Sequence, residues 1–229
     1  MREREKERGR EGGALPFSRL TTNDSRLPTN TTLKNYDQSY FDHWYRNPRH
    51  RIGSRADLER SVALAVALAE GVLGREIESV LDVGAGEGRW QPVLQRLRPG
   101  SRYAGVEPSE WAVRRWGQRR NLRQGSLLDL AELGLEGPFD LVICADVLHY
   151  LPTAVLRRGL RALADQVGGV AFCPLFTVED SIDGDREEFQ RRRASTYRRC
   201  FAEAGLIAVG MHGWTTSTIA ASLARLERQ

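Results

Sequence analysis

The chain has 229 residues, of which 41% are hydrophobic, and a formal net charge of +4 at pH 7. This length fits one domain with a full-sized core. The basic residues are scattered and almost all are arginine, so the charge does not predict a nucleic-acid partner. Cys144, Cys173 and Cys200 stand far apart and form no C-x-x-C pair, which predicts reduced core thiols rather than a disulfide framework.

Residues 1–33 are polar and charged, beginning MREREKERGREGG and continuing through TTNDSRLPTNTT. Ordering such a segment would cost conformational entropy with few apolar groups to bury, which predicts a disordered tail. It lacks the apolar stretch of a signal peptide, and no later run approaches the roughly 18 apolar residues of a membrane span. We therefore expect a cytoplasmic protein without membrane contact.

Residues 34–53 are rich in aromatic side chains, with Tyr36, Tyr40 and Trp44 at helical spacing. Two interpretations of this predicted helix stay open: an aromatic face packed on the core, or a lid over a ligand. In the second, Tyr40 and Trp44 cover the ligand and Arg49 or Arg51 pairs with a carboxylate.

Residues 54–229 alternate between strand-like and helix-like patterns, with a capping box at Ser54 and Asp57 opening a helix that ends at Gly74. The predicted strands are residues 79–83, 103–107, 122–124, 139–145, 169–173 and 206–212. The predicted helices are residues 89–97, 110–119, 153–164, 186–204 and 217–228. This order predicts a Rossmann-like, doubly wound α/β domain, with a mostly parallel sheet of six or seven strands and helices on both faces. No segment is an obvious seventh, antiparallel strand.

A glycine-rich turn follows the first predicted strand, in Val-Leu-Asp-Val-Gly-Ala-Gly-Glu-Gly at residues 80–88. The spacing is G-x-G-x-G, whereas a dinucleotide fingerprint would place its third glycine at Arg89. Asp82 beside the turn would repel a pyrophosphate but suits a ligand with ammonium and sulfonium groups. Glu107 ends the next strand, where a carboxylate can bind both hydroxyls of a ribose.

These residues, together with Glu-Pro-Ser at 107–109, Gly-Ser-Leu-Leu-Asp at 125–129 and the segment 139–151, resemble the class I S-adenosylmethionine-dependent methyltransferases, in particular small bacterial enzymes acting on metabolites. The resemblance implies S-adenosylmethionine as cofactor and S-adenosylhomocysteine as product. Ser126 stands where the family often has an acid, so the adenine amine either binds less tightly or uses Asp129 instead. The implied cofactor contacts are Asp82, Gly84, Ala85, Gly86, Gly88, Glu107, Pro108, Ser126, Leu127, Ala145 and His149, with Tyr40 and Trp44 from the lid.

The resemblance also implies that acceptor and sulfonium meet near His149, at the end of a central strand. A neutral imidazole there can take a proton from the acceptor, or His149 can simply pack beside the cofactor. Trp44, Tyr150 and Phe176 are the expected acceptor contacts. We expect a small-molecule acceptor and no metal, and the sequence specifies neither the methylated atom nor the oligomeric state.

Other functions remain open. A nicotinamide-dependent oxidoreductase is disfavoured by the glycine spacing and Asp82. Methyl transfer to protein or nucleic acid is a further alternative, although Ala-Asp-Val-Leu at residues 145–148 replaces the Asn/Asp-Pro-Pro-aromatic run of enzymes that methylate exocyclic amines. A module that binds the cofactor without chemistry is also compatible with the sequence.

Overall fold

A seven-stranded sheet organises the fold of the computed structural model, which describes residues 36–50, 52–181 and 184–223. All of them belong to a unit running from Lys34 to Gln229. The predicted tail, residues 1–33, and Arg51 lie outside the described residues. The strands are β1 (Ser79–Val83), β2 (Arg102–Glu107), β3 (Leu122–Gln124), β4 (Phe139–Ile143), β5 (Val167–Phe172), β6 (Leu206–Gly210) and β7 (Gly213–Thr216).

The sheet has the order β3-β2-β1-β4-β5-β7-β6. Strands β1 to β5 pair in parallel, and β7 pairs antiparallel with both β5 and β6. The predicted doubly wound α/β fold is confirmed, with seven strands. Strand β7 was not predicted from the sequence because the strand has only four residues. It follows β6 through a tight hairpin in which Met211 and His212 adopt positive φ.

The helices are α1 (Gln38–Phe41), α2 (Arg55–Leu73), α3 (Gln91–Leu97), α4 (Glu110–Arg120), α5 (Thr153–Ala164), α6 (Ala194–Glu203) and α7 (Ser217–Ala220), and a π-helical turn, Asp42–Arg46, directly follows α1. The predicted capping box of α2 is present, since Ser54 accepts from the Asp57 amide and the Asp57 carboxylate accepts from the Ser54 amide. Gly74 ends α2 in the left-handed conformation, with φ of 68°.

The core has two layers, one on each face of the sheet. Alternate residues of β1 enter opposite layers, because successive strand side chains point to opposite faces: Leu81 and Val83 join one, Val80 the other. The first layer is closed by the apolar faces of α5 and α6, and the second by α2 and α3. Burial on both faces explains why these strands read as continuous apolar runs.

Two predicted helices were wrong in extent. Residues 186–193 are not helical, and α6 begins only at Ala194. The segment contains a turn instead, closed by a 3.2 Å bond from the Phe189 amide to the Arg186 carbonyl. The buried guanidinium of Arg192 anchors its end, because it bonds the Thr153 hydroxyl at 3.2 Å and the Leu151 carbonyl. The predicted final helix, residues 217–228, ends at Ala220, and residues 224–229 lie outside the described residues.

Candidate functional site

Three neighbouring parallel strands end at one edge of the sheet, where a ligand site is expected. Register pairs Val83 of β1 with Val106 of β2, and Asp82 with Ile143 of β4. The glycine loop, residues 84–88, follows β1, and Glu107 is the last residue of β2. The structure thus brings together the loop and the two predicted carboxylates.

The three glycines of the loop all have positive φ: 72° at Gly84, 57° at Gly86 and 70° at Gly88. Residues with a Cβ rarely adopt this conformation, so glycine is required by the backbone itself. Space is also restricted, because a Cβ on Gly84 would lie 2.4 Å from Cγ2 of Val147. The segment after β4 therefore packs directly against the start of the loop.

Glu107 is buried and ties the loop to the end of β2. Its Oε2 accepts from the Gly86 amide at 2.7 Å and its Oε1 accepts from the Ser109 amide at 2.9 Å. Burial raises the pKa of Glu107, and the two backbone hydrogen bonds oppose that rise. Both oxygens of the carboxylate are consequently fixed in direction.

Asp82 is buried one strand away, and its Oδ2 accepts from the Tyr103 hydroxyl at 2.7 Å. Burial raises the pKa of Asp82 to about 7, the hydrogen bond from Tyr103 lowers it, and the charge of Glu107 raises it further. Ionisation of Asp82 therefore falls within the physiological range, so a cation arriving at this edge would favour the charged form.

The segment after β3 forms a tight turn closed by Asp129. Its Oδ2 accepts from the Ser126 amide and from the Ser126 hydroxyl, both at 2.7 Å. Leu127 is buried in the core. Beside this turn lies a cavity of about 400 Å³, lined by Pro108, Gln124, Gly125, Ser126, Asp129, Glu132 and Leu133. Pro108 and Ser126, two of the predicted cofactor contacts, thus share one cavity.

Residues 36–46, here called the aromatic segment, lie on the glycine loop. The ring of Phe41 is buried and stacks on Trp111 at 5.2 Å between centroids. A Cβ on Gly86 would lie 3.0 Å from the hydroxyl of Tyr45. Arg46 forms an ion pair with the buried carboxylate of Glu87 in the loop.

Further contacts extend the attachment of the aromatic segment. The Ser109 hydroxyl donates to the Tyr36 carbonyl. Tyr40 packs edge-on against Phe41 at 5.5 Å, whereas Trp44 packs against His43 at 4.6 Å. Phe41, Tyr45 and Arg46 belong to the same aromatic and basic stretch of sequence but were not among the predicted site residues.

His149 is 1% exposed, enclosed by aromatic rings. Its ring centroid lies 4.2 Å from that of Tyr150, 5.5 Å from that of Phe176 and 5.7 Å from that of Phe189. Its Nδ1 accepts from the Phe176 amide at 3.3 Å. Three of the predicted acceptor-side residues, His149, Tyr150 and Phe176, are therefore brought together.

Asp146, also missed from the sequence, follows the half-buried Ala145 at the end of β4 and has φ of 58°. Sequence alone gives no signal for a left-handed residue here. In residues 36–50, 52–181 and 184–223, no three histidine, cysteine, aspartate or glutamate side chains gather as a metal site. Over the same ranges, no helix combines the length and apolarity that crossing a membrane requires.

Known structures with similar folds include several methyltransferases. The magnesium protoporphyrin IX methyltransferase of Synechocystis PCC 6803, solved with S-adenosylhomocysteine, aligns with a TM-score of 0.54 at 21% identity, over 76% of this chain and 89% of that one. A plantazolicin methyltransferase solved with S-adenosylhomocysteine and a triazolic desmethylPZN analogue aligns with a TM-score of 0.55 at 12% identity, over 67% of this chain and 66% of that one. The N,N-8-amino-8-demethyl-D-riboflavin dimethyltransferase of Streptomyces davawensis gives 0.51 at 14% identity, over 68% and 50%.

At such identities these likenesses show the fold. This chain spans 66% of the length of the plantazolicin methyltransferase. It spans 58% of an O-methyltransferase family protein from Burkholderia thailandensis and 50% of an O-methyltransferase from neocarzinostatin biosynthesis. No curated protein sequence matches it. The family model described as a methyltransferase domain matches residues 49–209, more than half of the chain. The chain therefore belongs to this methyltransferase domain family.

Proposed function

We propose that this protein transfers the methyl group of S-adenosylmethionine to a small-molecule acceptor. The observation that carries the proposal is the pair of buried carboxylates, Asp82 and Glu107, at the ends of adjacent parallel strands on either side of the glycine loop. Two acids beside such a loop suit a ligand that carries positive charge and ribose hydroxyls better than a pyrophosphate.

The residues present fit this ligand. A carboxylate offers about four acceptor positions, and the amides of Gly86 and Ser109 use two of those on Glu107, which leaves two for the ribose hydroxyls. Asp82 and the loop backbone would hold the methionine part. Ser126 and Leu127, beside the cavity that Pro108 lines, would hold the adenine edge, with Ala145 and His149 completing the contacts.

When bound, S-adenosylmethionine supplies an electrophilic methyl group on a positively charged sulfur. The protein's contribution is to align the acceptor, exclude water and receive any proton that the nucleophile loses. We assign the aromatic segment, including Tyr40 and Trp44, to water exclusion, and Trp44, Tyr150 and Phe176 to the acceptor. Deleting residues 1–30 is expected to leave turnover intact, whereas deletion through Arg46 is expected to abolish it.

Support for a small acceptor comes from the fold neighbours, whose names give a porphyrin, a riboflavin derivative and the natural product plantazolicin as their substrates. The nucleophile, whether oxygen, nitrogen, sulfur or carbon, is not part of the proposal. Incubation with isotopically labelled S-adenosylmethionine and small-molecule cell extracts, followed by mass spectrometry, would identify the labelled product.

The cofactor is tested by thermal unfolding with S-adenosylmethionine, S-adenosylhomocysteine, NAD(H) and NADP(H). A ligand at about 100 times its dissociation constant adds about 2.7 kcal/mol to the free energy of unfolding. We expect the first two compounds alone to raise the melting temperature. Stabilisation by nicotinamide nucleotides alone would contradict the proposal, and a salt-sensitive shift with oligonucleotides would favour a nucleic-acid acceptor.

A further inference from the structure

Asp146 occupies an unusual backbone position at the carboxyl end of β4. Its φ of 58° is left-handed, and its amide is fixed by a hydrogen bond of 3.0 Å to the Pro174 carbonyl. Non-glycine residues in this conformation are uncommon and cluster at functional sites. The next residue, Val147, is the one that packs against Gly84, so Asp146 stands beside the glycine loop.

The charge of Asp146 acts on two tyrosines of the candidate site. Burial is the main cause of the raised pKa of both Tyr45 and Tyr150, and the charge of Asp146 raises the pKa of each of them further. The charge of Asp146 also contributes to the raised pKa of the Cys144 thiol, whose main cause is burial. Asp146 thus stands beside the glycine loop through Val147, and its charge acts on Tyr45 of the aromatic segment and on Tyr150 beside His149.

The carboxylate of Asp146 has no protein partner within residues 36–50, 52–181 and 184–223, where no hydrogen bond or ion pair engages it. The surface of Asp146 is accessible to solvent, yet desolvation by the surrounding protein raises the pKa of its carboxyl to about 6. The carboxyl of Asp146 is therefore reachable by a ligand and also partly desolvated by the protein around it. Asp140 of β4, in contrast, is an acid that Arg75 holds at 2.7 Å.

Resting on the proposed function, we propose that Asp146 is the catalytic base and that the acceptor is a hydroxyl or an amine rather than a carboxylate. Attack of the acceptor oxygen or nitrogen forms the new bond to the methyl carbon and breaks the carbon–sulfur bond. The bonding pair stays on sulfur as a neutral thioether, and the acceptor proton passes to the Asp146 carboxylate, which releases it to solvent.

Charge favours this class of acceptor. A carboxylate substrate carries no proton to remove, and it would meet the unpaired charge of Asp146. A hydroxyl or amine can donate its hydrogen bond to Asp146 in the ground state. His149 is less suited, because its ring is enclosed by Tyr150, Phe176 and Phe189.

The test compares wild type with Asp146→Asn, which keeps a side chain tolerated in the left-handed region, and with Asp165→Asn as a matched control at an exposed position after α5. In ligand-free protein labelled with ¹³C-aspartate, we expect one carboxyl, missing from Asp146→Asn, to titrate near pH 6. Titration of that carboxyl near pH 4 would overturn the assignment, whichever acceptors are used.

Turnover is measured with labelled S-adenosylmethionine and three probes: tyramine, catechol and benzoate. We expect an ether or N-methyl product, a rate that rises with pH through about 6, and a loss of 10²- to 10⁴-fold in Asp146→Asn only. Methyl benzoate as the main product, or Asp146→Asn within about threefold of wild type, would overturn the proposal. Calorimetry with S-adenosylhomocysteine distinguishes failure of the proposed function from failure of this inference. No binding by wild type would refute the proposed function. Equal binding by wild type and Asp146→Asn, together with normal turnover of Asp146→Asn, would refute only the role of Asp146.

Discussion

Glu107 and Asp82 are both buried acids, but they are held by different partners. Two backbone amides fix Glu107, whereas a single phenol bonds Asp82. Backbone amides cannot move away without opening the loop, so Glu107 determines the shape of the site. The Tyr103 hydroxyl donates to Asp82 whether that acid is charged or neutral. Asp82 is consequently the acid whose protonation state can follow pH or a bound charge.

The role of Glu107 is tested by Glu107→Gln, with the exposed Glu110→Gln as control on the next helix. An amide has one acceptor oxygen in place of two, so it cannot serve Gly86, Ser109 and a ribose together. We expect S-adenosylhomocysteine affinity to fall by about 1.5 to 3 kcal/mol, roughly 10- to 150-fold, in calorimetry. Unchanged affinity in a folded Glu107→Gln protein would show that Glu107 only stabilises the loop.

Asp82 gives a prediction about stability and pH. Because burial raises its pKa from 3.8 to about 7, the folded state binds a proton that the unfolded state has released between those values. The free energy of unfolding should therefore fall as pH rises through this window, by as much as about 4 kcal/mol from this group. Above pH 7 the contribution of Asp82 becomes constant.

The measurement is urea unfolding of wild type and Asp82→Asn at pH 5 and pH 8. Asparagine retains an acceptor for the Tyr103 hydroxyl but has no charge, so its stability should fall less over this interval. Comparing the two proteins cancels the contribution of other acids, including Glu107, whose pKa is also raised by burial. Parallel pH dependences for the two proteins would mean that Asp82 titrates normally.

At the level of elements, the aromatic segment shows how a local irregularity changes which face is buried. The helix was predicted from Tyr36, Tyr40 and Trp44, at a spacing of four. After Phe41 the chain enters a π-helical turn, closed by a 2.9 Å bond from the Asn47 amide to the Asp42 carbonyl, five residues apart. Phe41, the last residue of α1, stacks on Trp111, and the wider turn after it sets the direction of Tyr45, which meets Gly86.

Phe41→Ala tests whether this packing holds the segment on the glycine loop, with Trp44→Ala as the control. Burying a phenylalanine side chain contributes roughly 2 to 3 kcal/mol, so losing it should make local opening roughly 30- to 150-fold more frequent. We expect tryptic cleavage after Arg46 and Arg49 to accelerate correspondingly in Phe41→Ala, and much less in Trp44→Ala. Equal acceleration in both variants would mean that Trp44 holds the segment on the glycine loop as firmly as Phe41 does.

The elements that sequence predicts best are those whose signals are local. The capping box at Ser54 and Asp57, the stop at Gly74 and the glycine loop depend on contacts within a few residues, and all are present. The helix prediction is wrong for residues 186–193 because distant groups determine their conformation. Arg192 bonds Leu151 and Thr153, and the Gln190 amide donates to the His149 carbonyl. The left-handed Asp146 belongs to the same category, since its amide bonds Pro174.

Across the whole molecule, the order of strands separates the candidate site from the edge of the sheet that β7 and β6 form, which are the last two strands along the chain. The site lies at the ends of β2, β1 and β4, and β5 stands between β4 and the antiparallel pair β7-β6. Side chains as well as the few backbone pairs with β5 and β6 hold β7 in the sheet. The buried Thr215 hydroxyl donates to the Gly169 carbonyl of β5 at 2.6 Å, and Gly213 leaves the space that Leu68 of α2 fills.

This separation predicts that stability and ligand affinity respond independently at the β7 edge. The ring of Trp214 stacks on the buried Phe201 of α6, with centroids 3.9 Å apart and planes 4° from parallel. Trp214→Ala should lower the free energy of unfolding by about 2 to 4 kcal/mol, since truncating a packed aromatic residue removes dispersion contacts and leaves a cavity.

Met211, 65% exposed in the adjoining hairpin, provides the control Met211→Ala, with an expected change below about 0.5 kcal/mol. Urea unfolding measures both, and calorimetry should show S-adenosylhomocysteine affinity unchanged in each variant. A loss of affinity that matches the loss of stability in Trp214→Ala would mean that packing at β7 is transmitted through β5 and β4 to the glycine loop.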